Sequence, residues 1–258
     1  MKPRVAIHKF SSCDGCQLAF LNMGEDLLSL ADQVDIVHFP EAGPINPDTA
    51  VDISFVEGSL STPDDLKRIK QIRANSTHVV TIGACATAGG IQALRNLAEQ
   101  DDWVQSVYAS PEYIAALDKV MPVHAQIKVD FELRGCPVNT RQVTAVLRDL
   151  LRGVTPVIEQ DKVCMECKRR HTVCVMVTRG LPCMGPVTQT GCGALCPDLG
   201  RDCYGCYGSA ENANTAALAN RFHTLQLDEK QIDHRFVSFT SADPVFRSAG
   251  TEGPESND

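Results

Sequence analysis

Residues 78–90, HVVTIGACATAGG, join an apolar run to a loop of small residues, and a predicted helix begins at Ile91. The run His78–Ile82 is rich in β-branched residues, which is typical of a buried strand. The same order of strand, loop and helix recurs through the first half of the chain. Such alternation predicts right-handed βαβ units in a parallel sheet that is covered on both faces. We therefore expect an α/β fold with a flavodoxin-like, doubly wound parallel sheet.

The other predicted elements follow the same alternation. Thr62 is a predicted N-cap for the helix that begins at Pro63, because proline is favoured at the first helical position. The predicted strands comprise residues 4–10, 34–39, 51–56, 78–82 and 125–133. The predicted helices comprise residues 17–31, 63–75, 91 onward, 139–152 and 209–225.

Four cysteines follow directly after predicted strands. The carboxyl ends of parallel strands form the edge of the sheet at which ligands bind in open α/β folds. Residues that are far apart in sequence therefore converge there, and we predict a four-thiol site at this edge. Glu57 also follows a predicted strand and is expected at the same edge. The four cysteines are Cys13, Cys16, Cys85 and Cys136.

The glycines beside these cysteines have two interpretations. They let the backbone approach a bulky ligand and offer it N–H donors, or they are ordinary glycines of strand-to-helix turns. The segment GACATAGG is not a G-x-G-x-x-G motif, and no P-loop lysine follows it, so we expect no nucleotide site in this domain. The glycines are Gly83, Gly89, Gly90 and Gly135.

Eight of the twelve cysteines fall in the 164–206 segment. They form the pattern C-x2-C-x6-C-x8-C followed by C-x3-C-P-x5-C-x2-C. Eight thiolates are the ligand count of two four-iron clusters, and the upstream four would hold a third cluster. The chain would then carry electrons. The eight are Cys164, Cys167, Cys174, Cys183, Cys192, Cys196, Cys203 and Cys206.

The periodic pattern ends near residue 155, which divides the chain into two predicted domains. Residues 1–155 form the flavodoxin-like domain with the upstream thiol site. Residues 156–258 form an iron–sulfur domain with the eight remaining thiols, a C-terminal helix over 209–225 and a frayed tail over 248–258. The segment 161–208 has too little apolar periodicity for an ordinary core, so we expect it to fold around metal.

Disulfides and zinc are the competing interpretations of the cysteines. The chain opens MKPRVAIHKF without a signal-like segment, which favours a reducing cytoplasm where disulfides seldom persist. Zinc would suit Cys164, Cys167, Cys203 and Cys206, but it leaves the other four cysteines of the segment without a role. The pair Cys13 and Cys16 taken alone would also suit a thiol redox pair.

Charge and hydropathy exclude two further classes of protein. A formal net charge of −8 argues against a nucleic-acid-binding protein, which is usually basic. No apolar run approaches the roughly 18 residues that span a bilayer. We therefore expect no nucleic-acid partner and no membrane span.

The cysteine motifs resemble those of the small subunit of nickel–iron hydrogenases, and most closely its cytoplasmic bidirectional branch, which includes the sulfhydrogenase delta subunits. The resemblance covers about residues 4 to 210 and is specific because several motifs coincide. The upstream motifs are SCDGCQ, VEGS, GACATAGG and RGCP. The downstream motifs are VCMECK, GLPCMGPVT, GCGALCP and CYGCYG.

The resemblance implies how the twelve cysteines are divided among three clusters. The upstream four would hold a proximal cluster beside the nickel–iron site of a large subunit. Cys164, Cys167, Cys174 and Cys183 would hold a distal cluster. Cys192, Cys196, Cys203 and Cys206 would hold a medial cluster. Membrane-associated relatives with a three-iron medial cluster carry proline at the position of Cys196, so this fourth thiolate would make the cluster four-iron. A crossed, ferredoxin-like arrangement is the alternative.

The resemblance also implies function and partners. The chain would be the electron-transfer subunit of a [NiFe] hydrogenase, an oxidoreductase whose nickel–iron site lies on the partner large subunit. Three [4Fe-4S] clusters would link that site to iron–sulfur and FAD/NAD(P)-binding subunits, with electrons moving toward NADP or in reverse. We expect no nickel, flavin or nucleotide on this chain. The chain lacks a twin-arginine signal and a C-terminal membrane helix, so we expect a cytoplasmic protein.

Three positions near the cluster motifs have open roles. Glu57 is a candidate for a proton route or for the contact with the large subunit, and the simpler interpretation is a carboxylate bonded to local backbone. The distal histidine ligand of membrane-associated relatives has no clear counterpart here. His171 lies inside the corresponding loop, but four thiols already fill that site, so we expect a loop side chain. Residues 168–170, KRR, form a solvated face or a docking site for an acidic or flavin-bearing partner.

Two other functions remain open from the sequence. One is a stand-alone, ferredoxin-like electron carrier with an accessory flavodoxin-like domain. The other is an iron–sulfur subunit of a quinone-linked complex, whose chain resembles this one in the proximal region but would lack the eight-cysteine domain. Purification with or without a large nickel-bearing partner separates these functions.

Overall fold

The computed structural model describes residues 2–251, without the side chains of residues 100–102. The chain folds into two units, Met1–Pro156 and Val157–Asp258. Each unit carries one of the cysteine groups described above. Within the described residues, no helix is both long enough and apolar enough to cross a membrane.

The first unit contains a five-stranded parallel sheet. The strands are β1 (Arg4–Lys9), β2 (Asp35–His38), β3 (Val51–Glu57), β4 (Ser76–Ile82) and β5 (Phe131–Leu133). Their order is β2-β1-β3-β4-β5, and every neighbouring pair is parallel. This is the strand order of flavodoxin-like, doubly wound folds, so the predicted fold class is confirmed.

The register aligns the carboxyl ends of four strands. Lys9 pairs with Glu57, Glu57 pairs with Ile82, and Ile82 pairs with Leu133. The segments that follow β1, β3, β4 and β5 therefore begin at the same level of the sheet. The central strands β3 and β4 are buried along most of their length, as expected where helices cover a parallel sheet on both faces.

The α-helices of this unit are α1 (Gly15–Leu21), α2 (Glu25–Ala31), α3 (Pro63–Ala74), α4 (Gly83–Ala88), α5 (Gln100–Val107) and α6 (Thr140–Leu151). The first five lie between strands, and α6 follows β5. The predicted start of α3 is confirmed, since the Thr62 hydroxyl accepts the Asp65 backbone N–H at 3.2 Å. The Asp65 carboxylate in turn accepts the Thr62 backbone N–H at 3.0 Å, which completes a capping box.

Four predicted elements of this unit differ from the structure. The helix predicted over residues 17–31 is two helices, because Gly24 adopts a left-handed conformation with φ 59° between α1 and α2. The loop GACATAGG contains the short helix α4, and the helix predicted from Ile91 is a 3-10 helix, Ile91–Leu97. The strand predicted over residues 125–133 is formed only at its end, by β5.

The second unit consists of short helices and loops: α7 (Val163–Arg169), α8 (Val175–Arg179), α9 (Leu195–Asp198), α10 (Thr215–Thr224), α11 (Glu229–Phe236) and α12 (Pro244–Thr251). The helix predicted over residues 209–225 begins later, at the N-cap Asn214, whose side chain accepts the Ala217 backbone N–H. The predicted frayed tail is wrong for residues 248–251, which belong to α12. Its remainder lies outside the described residues.

An apolar core is present in the second unit, contrary to expectation for residues 161–208. Val163, Met184 and Val187 from the cysteine-rich segment are buried together with apolar side chains of the C-terminal helices. Phe236 and Phe246 pack edge to face at 5.9 Å between ring centroids. The apolar side chains of segment 161–208 are therefore buried against residues that follow the segment in sequence.

Candidate metal centres

Four thiols meet at the carboxyl edge of the sheet, as the strand order predicts. We call Cys13, Cys16, Cys85 and Cys136 the edge thiols. Cys13 follows β1, Cys16 lies in the first turn of α1, Cys85 lies in α4, and Cys136 follows β5. The four lie within electrostatic range of one another. Cys16 interacts with Cys85 and Cys136, and Cys13 also interacts with Cys85 and Cys136. The predicted convergence is therefore present in the structure.

Helix α1 is fixed to the sheet one turn beyond Cys16. The Phe20 ring packs edge to face against Phe55 of β3, with ring centroids 5.5 Å apart, and against Phe39 at 6.3 Å. All three rings are almost completely buried. This aromatic contact holds the helix that carries Cys16 in a defined position beside the other edge thiols.

Two glycines make room for the sulfurs of two edge thiols. Gly83 has φ 85°, and a Cβ atom there would clash with Cys16 Sγ. Gly90 has φ 63°, and a Cβ atom there would lie 2.5 Å from Cys85 Sγ. Both positions therefore need glycine for conformation and for space, because the sulfurs of Cys16 and Cys85 occupy the place of a Cβ atom. The approach of a ligand to these glycines stays a prediction.

Glu57 and Gln92 connect the loops that carry the edge thiols. Glu57 is 2% exposed, and its Oε1 accepts the Cys16 backbone N–H at 3.0 Å. Gln92 Nε2 donates to the Ser11 carbonyl at 3.1 Å, and Gln92 Oε1 accepts from Cys85 Sγ at 3.3 Å. The structure thus gives Glu57 a bond to backbone, as the simpler interpretation expects, but that backbone lies 41 residues away in sequence. A part in a proton route or in a partner contact stays a prediction.

Burial, and then nearby charged groups, raise the pKa of three edge thiols, Cys16, Cys85 and Cys136. Burial, and then the neighbouring Cys136, raises the pKa of Cys85 to about 11. Burial also raises the pKa of Cys16, although the Val138 backbone N–H donates to its sulfur at 3.4 Å. A bound metal reverses this balance because it stabilises thiolates directly.

A second set of thiols surrounds a cavity in the other unit. We call Cys164, Cys167, Cys174 and Cys183 the cavity thiols. They line a cavity of about 170 Å³ together with mainly apolar side chains. Burial, and then neighbouring thiols of the set, raises the pKa of Cys164 and of Cys167 to about 11. Four thiols around one space are an arrangement that suits a polynuclear iron–sulfur group.

The remaining four cysteines form two pairs. We call Cys192, Cys196, Cys203 and Cys206 the paired thiols. Cys196 lies in α9 and interacts electrostatically with Cys192. Cys206 interacts in the same way with Cys203. The paired thiols adjoin the cavity thiols, since the Cys203 backbone N–H donates to Cys183 Sγ at 3.2 Å.

The basic residues 168–170 are exposed, and each of them also has a contact with the protein. Lys168 lines the cavity of the cavity thiols. Arg169 forms ion pairs with Glu159 and Asp161, and Arg170 bonds Asp198 at 2.5 Å. His171 is exposed, with φ 56°, in the loop after α7.

The donor sets fit iron–sulfur clusters. Among the side chains that the structure describes, no three of His, Cys, Asp or Glu are grouped closely enough to hold one metal ion. The cavity thiols surround a space, and the edge thiols lie together beyond the ends of the strands. Thiolate-only donor sets around such a space are the ligands of [4Fe-4S] clusters.

Two polar residues at these sites were not singled out by the sequence. Gln92 gives no signal in the sequence, because its contacts depend on the 3-10 helix that replaces a predicted α-helix. Glu166 lies between two cysteines in VCMECK, yet it is 9% exposed and its carboxylate bonds a distant loop. A carboxylate inside a metal-binding motif is the only signal that would have identified it.

Comparison with known proteins agrees with this geometry. A sequence family described as NADH ubiquinone oxidoreductase, 20 Kd subunit, matches residues 13–150, which contain the edge thiols. Sulfhydrogenase 2 subunit delta of Pyrococcus furiosus is 31% identical over 227 residues, which cover 88% of this chain and 95% of that protein. NAD-reducing hydrogenase HoxS subunit delta of Cupriavidus necator is 30% identical over 167 residues, covering 59% and 80%.

A solved structure is also similar. A chain from the crystal structure of an NAD+-reducing [NiFe]-hydrogenase superposes with a TM-score of 0.57 at 27% identity. The superposition covers 61% of this chain and 96% of that chain.

Proposed function

Because the chain belongs to the family of the NADH ubiquinone oxidoreductase 20 Kd subunit and, within it, is a hydrogenase small subunit, we propose that it holds three [4Fe-4S] clusters. The chain transfers electrons for a hydrogenase whose active site lies on the partner large subunit. Beyond this electron-transfer role, the proposal specifies the number of clusters and their ligands. It also specifies an NAD(P)-linked flavin module as the electron acceptor or donor.

The ligand sets in this proposal follow the three thiol groups. The edge thiols hold the proximal cluster, the paired thiols hold the medial cluster, and the cavity thiols hold the distal cluster. When bound, each cluster supplies reversible one-electron reduction. The protein supplies thiolates, space and N–H donors, such as the Val138 N–H at Cys16 Sγ, which tune a cluster's potential.

The observation that carries the proposal is the convergence of the edge thiols. The ends of β1, β4 and β5 lie in register and bring together residues from opposite ends of the first unit. Glycine at positions 83 and 90 makes room for two of the sulfurs at this edge.

The electron acceptor and the compartment are the finer parts of the proposal. Two similar proteins are named as parts of NAD-reducing hydrogenases, which supports an NAD(P)-linked flavin module as a partner through iron–sulfur subunits. Twelve free cysteines suit a reducing compartment, which supports the cytoplasm. Glu57 remains a candidate for a proton route or a partner contact.

Metal content tests the cluster number. The full chain, purified without oxygen, should hold about twelve irons and about twelve sulfides, because three four-thiolate sites imply three four-iron clusters. It should hold no nickel. Iron, acid-labile sulfide, nickel and zinc are measured per chain. Stoichiometric zinc with little sulfide would contradict the proposal.

A further inference from the structure

Glu166 is a buried carboxylate whose partners are backbone groups of a distant loop. It is 9% exposed and lies in α7, between Cys164 and Cys167 of the cavity thiols. Its Oε1 accepts the backbone N–H groups of Gly191 at 3.2 Å and Gly193 at 3.0 Å. Its Oε2 accepts the backbone N–H of Ala194 at 2.9 Å.

These three N–H groups surround a thiol of the other set. Cys192 lies between the first two donors in sequence, and its sulfur is 3.9 Å from Glu166 Oε2. A carboxylate that accepts several backbone N–H bonds forms strong, charge-assisted contacts. Glu166 therefore fixes the backbone on both sides of Cys192.

The loop that Glu166 holds has an unfavourable backbone conformation. Gly193 has φ 69°, and Ala194 has φ 52° although it carries a side chain. A left-handed conformation is rare for residues other than glycine, asparagine and aspartate, so it requires support from its surroundings. The bonds from Glu166 to both residues provide that support.

A second contact from the same helix reaches the same loop. Arg170, one helical turn after Glu166, donates to the Gly193 carbonyl at 2.6 Å and pairs with Asp198 at 2.5 Å. Asp198 ends α9, which carries Cys196. Helix α7 thus supplies two cavity thiols and, through Glu166 and Arg170, holds the segment that carries two of the paired thiols.

We propose that Glu166 is a positioning residue that sets the conformation of the Cys192–Cys196 loop and, by its charge, lowers the reduction potential of the cluster bound there. The proposal rests on the proposed function, since it requires a cluster at the paired thiols. A carboxylate of this kind has two separable effects: its hydrogen bonds hold the ligand loop, and its negative charge disfavours the reduced cluster.

The variant Glu166→Gln tests both effects in the full chain. The glutamine keeps the size of the side chain but loses the charge and places an amide where an acceptor is needed. Loss of an outer partner of a metal ligand usually lowers metal affinity about 10- to 100-fold, so a chelator should remove iron from one cluster faster by about that factor. The potential of the same cluster should become more positive, while the other two clusters keep their potentials.

Controls identify the cluster and separate a specific effect from a general one. The affected spectroscopic signal should be the one that a Cys192→Ala variant loses. Glu159→Gln removes an exposed carboxylate of the same unit that pairs with Arg169, so it should change neither quantity. Glu166→Asp keeps the charge but shortens the side chain, so release should accelerate while the potential stays nearly unchanged.

Several outcomes overturn the proposal. Unchanged iron release and unchanged potential in Glu166→Gln would do so. Equal loss of all three clusters would instead show a general role in stability. If Glu166→Gln accumulates only as unfolded chain, Glu166→Asp decides: release at the wild-type rate contradicts the proposal. A wild-type chain that binds no iron would refute the proposed function itself, which is a distinct result.

Discussion

Replacing Gly83 by alanine should remove the proximal cluster while the other two clusters remain. The added Cβ atom would clash with Cys16 Sγ, and φ 85° at this position is unfavourable for alanine. Because the clash involves a proposed ligand, Cys16 must move out of the four-thiolate set. Iron should fall by about four per chain, with the loss of one of three spectroscopic signals.

The chain offers a matched control for Gly83→Ala. Gly24 has φ 59°, and no atom lies within 4 Å of the position of its Cβ. Gly24→Ala therefore has the backbone penalty of a left-handed alanine but no clash, and it should keep all its iron. If Gly83→Ala does not fold, Cys136→Ser removes an exposed edge thiol and should cause the same loss. Full iron content in a folded Gly83→Ala variant would contradict the assignment of the edge thiols.

Replacing Cys196 by alanine should convert the medial cluster from four-iron to three-iron. The other three paired thiols remain, so one iron leaves and the potential rises as negative ligand charge is lost. Alanine suits the position because Cys196 lies in the first turn of α9, where alanine disturbs the helix little. The oxidised variant should show a new three-iron signal, and the edge and cavity clusters should stay intact.

Comparison with Cys174→Ala tests how the eight downstream thiols are divided. Cys174 is an exposed cavity thiol, so its loss should alter the distal cluster instead. The double variant should then show two altered clusters. Some crossed arrangements place Cys196 and Cys174 in the same cluster. In that case the double variant would alter only one cluster. That result would reject the proposed division.

The sequence predicts the sheet and the edge thiols well because both depend on strong local signals. Apolar runs such as His78–Ile82 identify the parallel strands, and the topology of such a sheet brings the segments after its strands to one edge. The convergence of Cys13 with Cys136 follows from this rule without any contact being known. The close approach of Gly83 to the sulfur of Cys16 does not follow from it, since an ordinary turn glycine gives the same sequence signal.

The second unit is less predictable because its order depends on distant contacts. The segment that forms α11, EKQIDHRF, is mostly polar, yet Ile232 and Phe236 fall one turn apart and reach the core beside the cysteine-rich segment. The contacts of Glu166 likewise join residues at least 25 positions apart. Neither periodicity nor spacing encodes such contacts, so the sequence alone suggested a segment without an apolar core.

The number of electrons that the chain accepts tests its proposed role most directly. The full chain, purified without oxygen, is titrated with a low-potential reductant while its visible and electron paramagnetic resonance spectra are followed. Three [4Fe-4S] clusters predict an uptake of about three electrons per chain, with three distinguishable signals and none from nickel. A chain that accepts no electrons, or that holds its metal as redox-inactive zinc, would contradict the account.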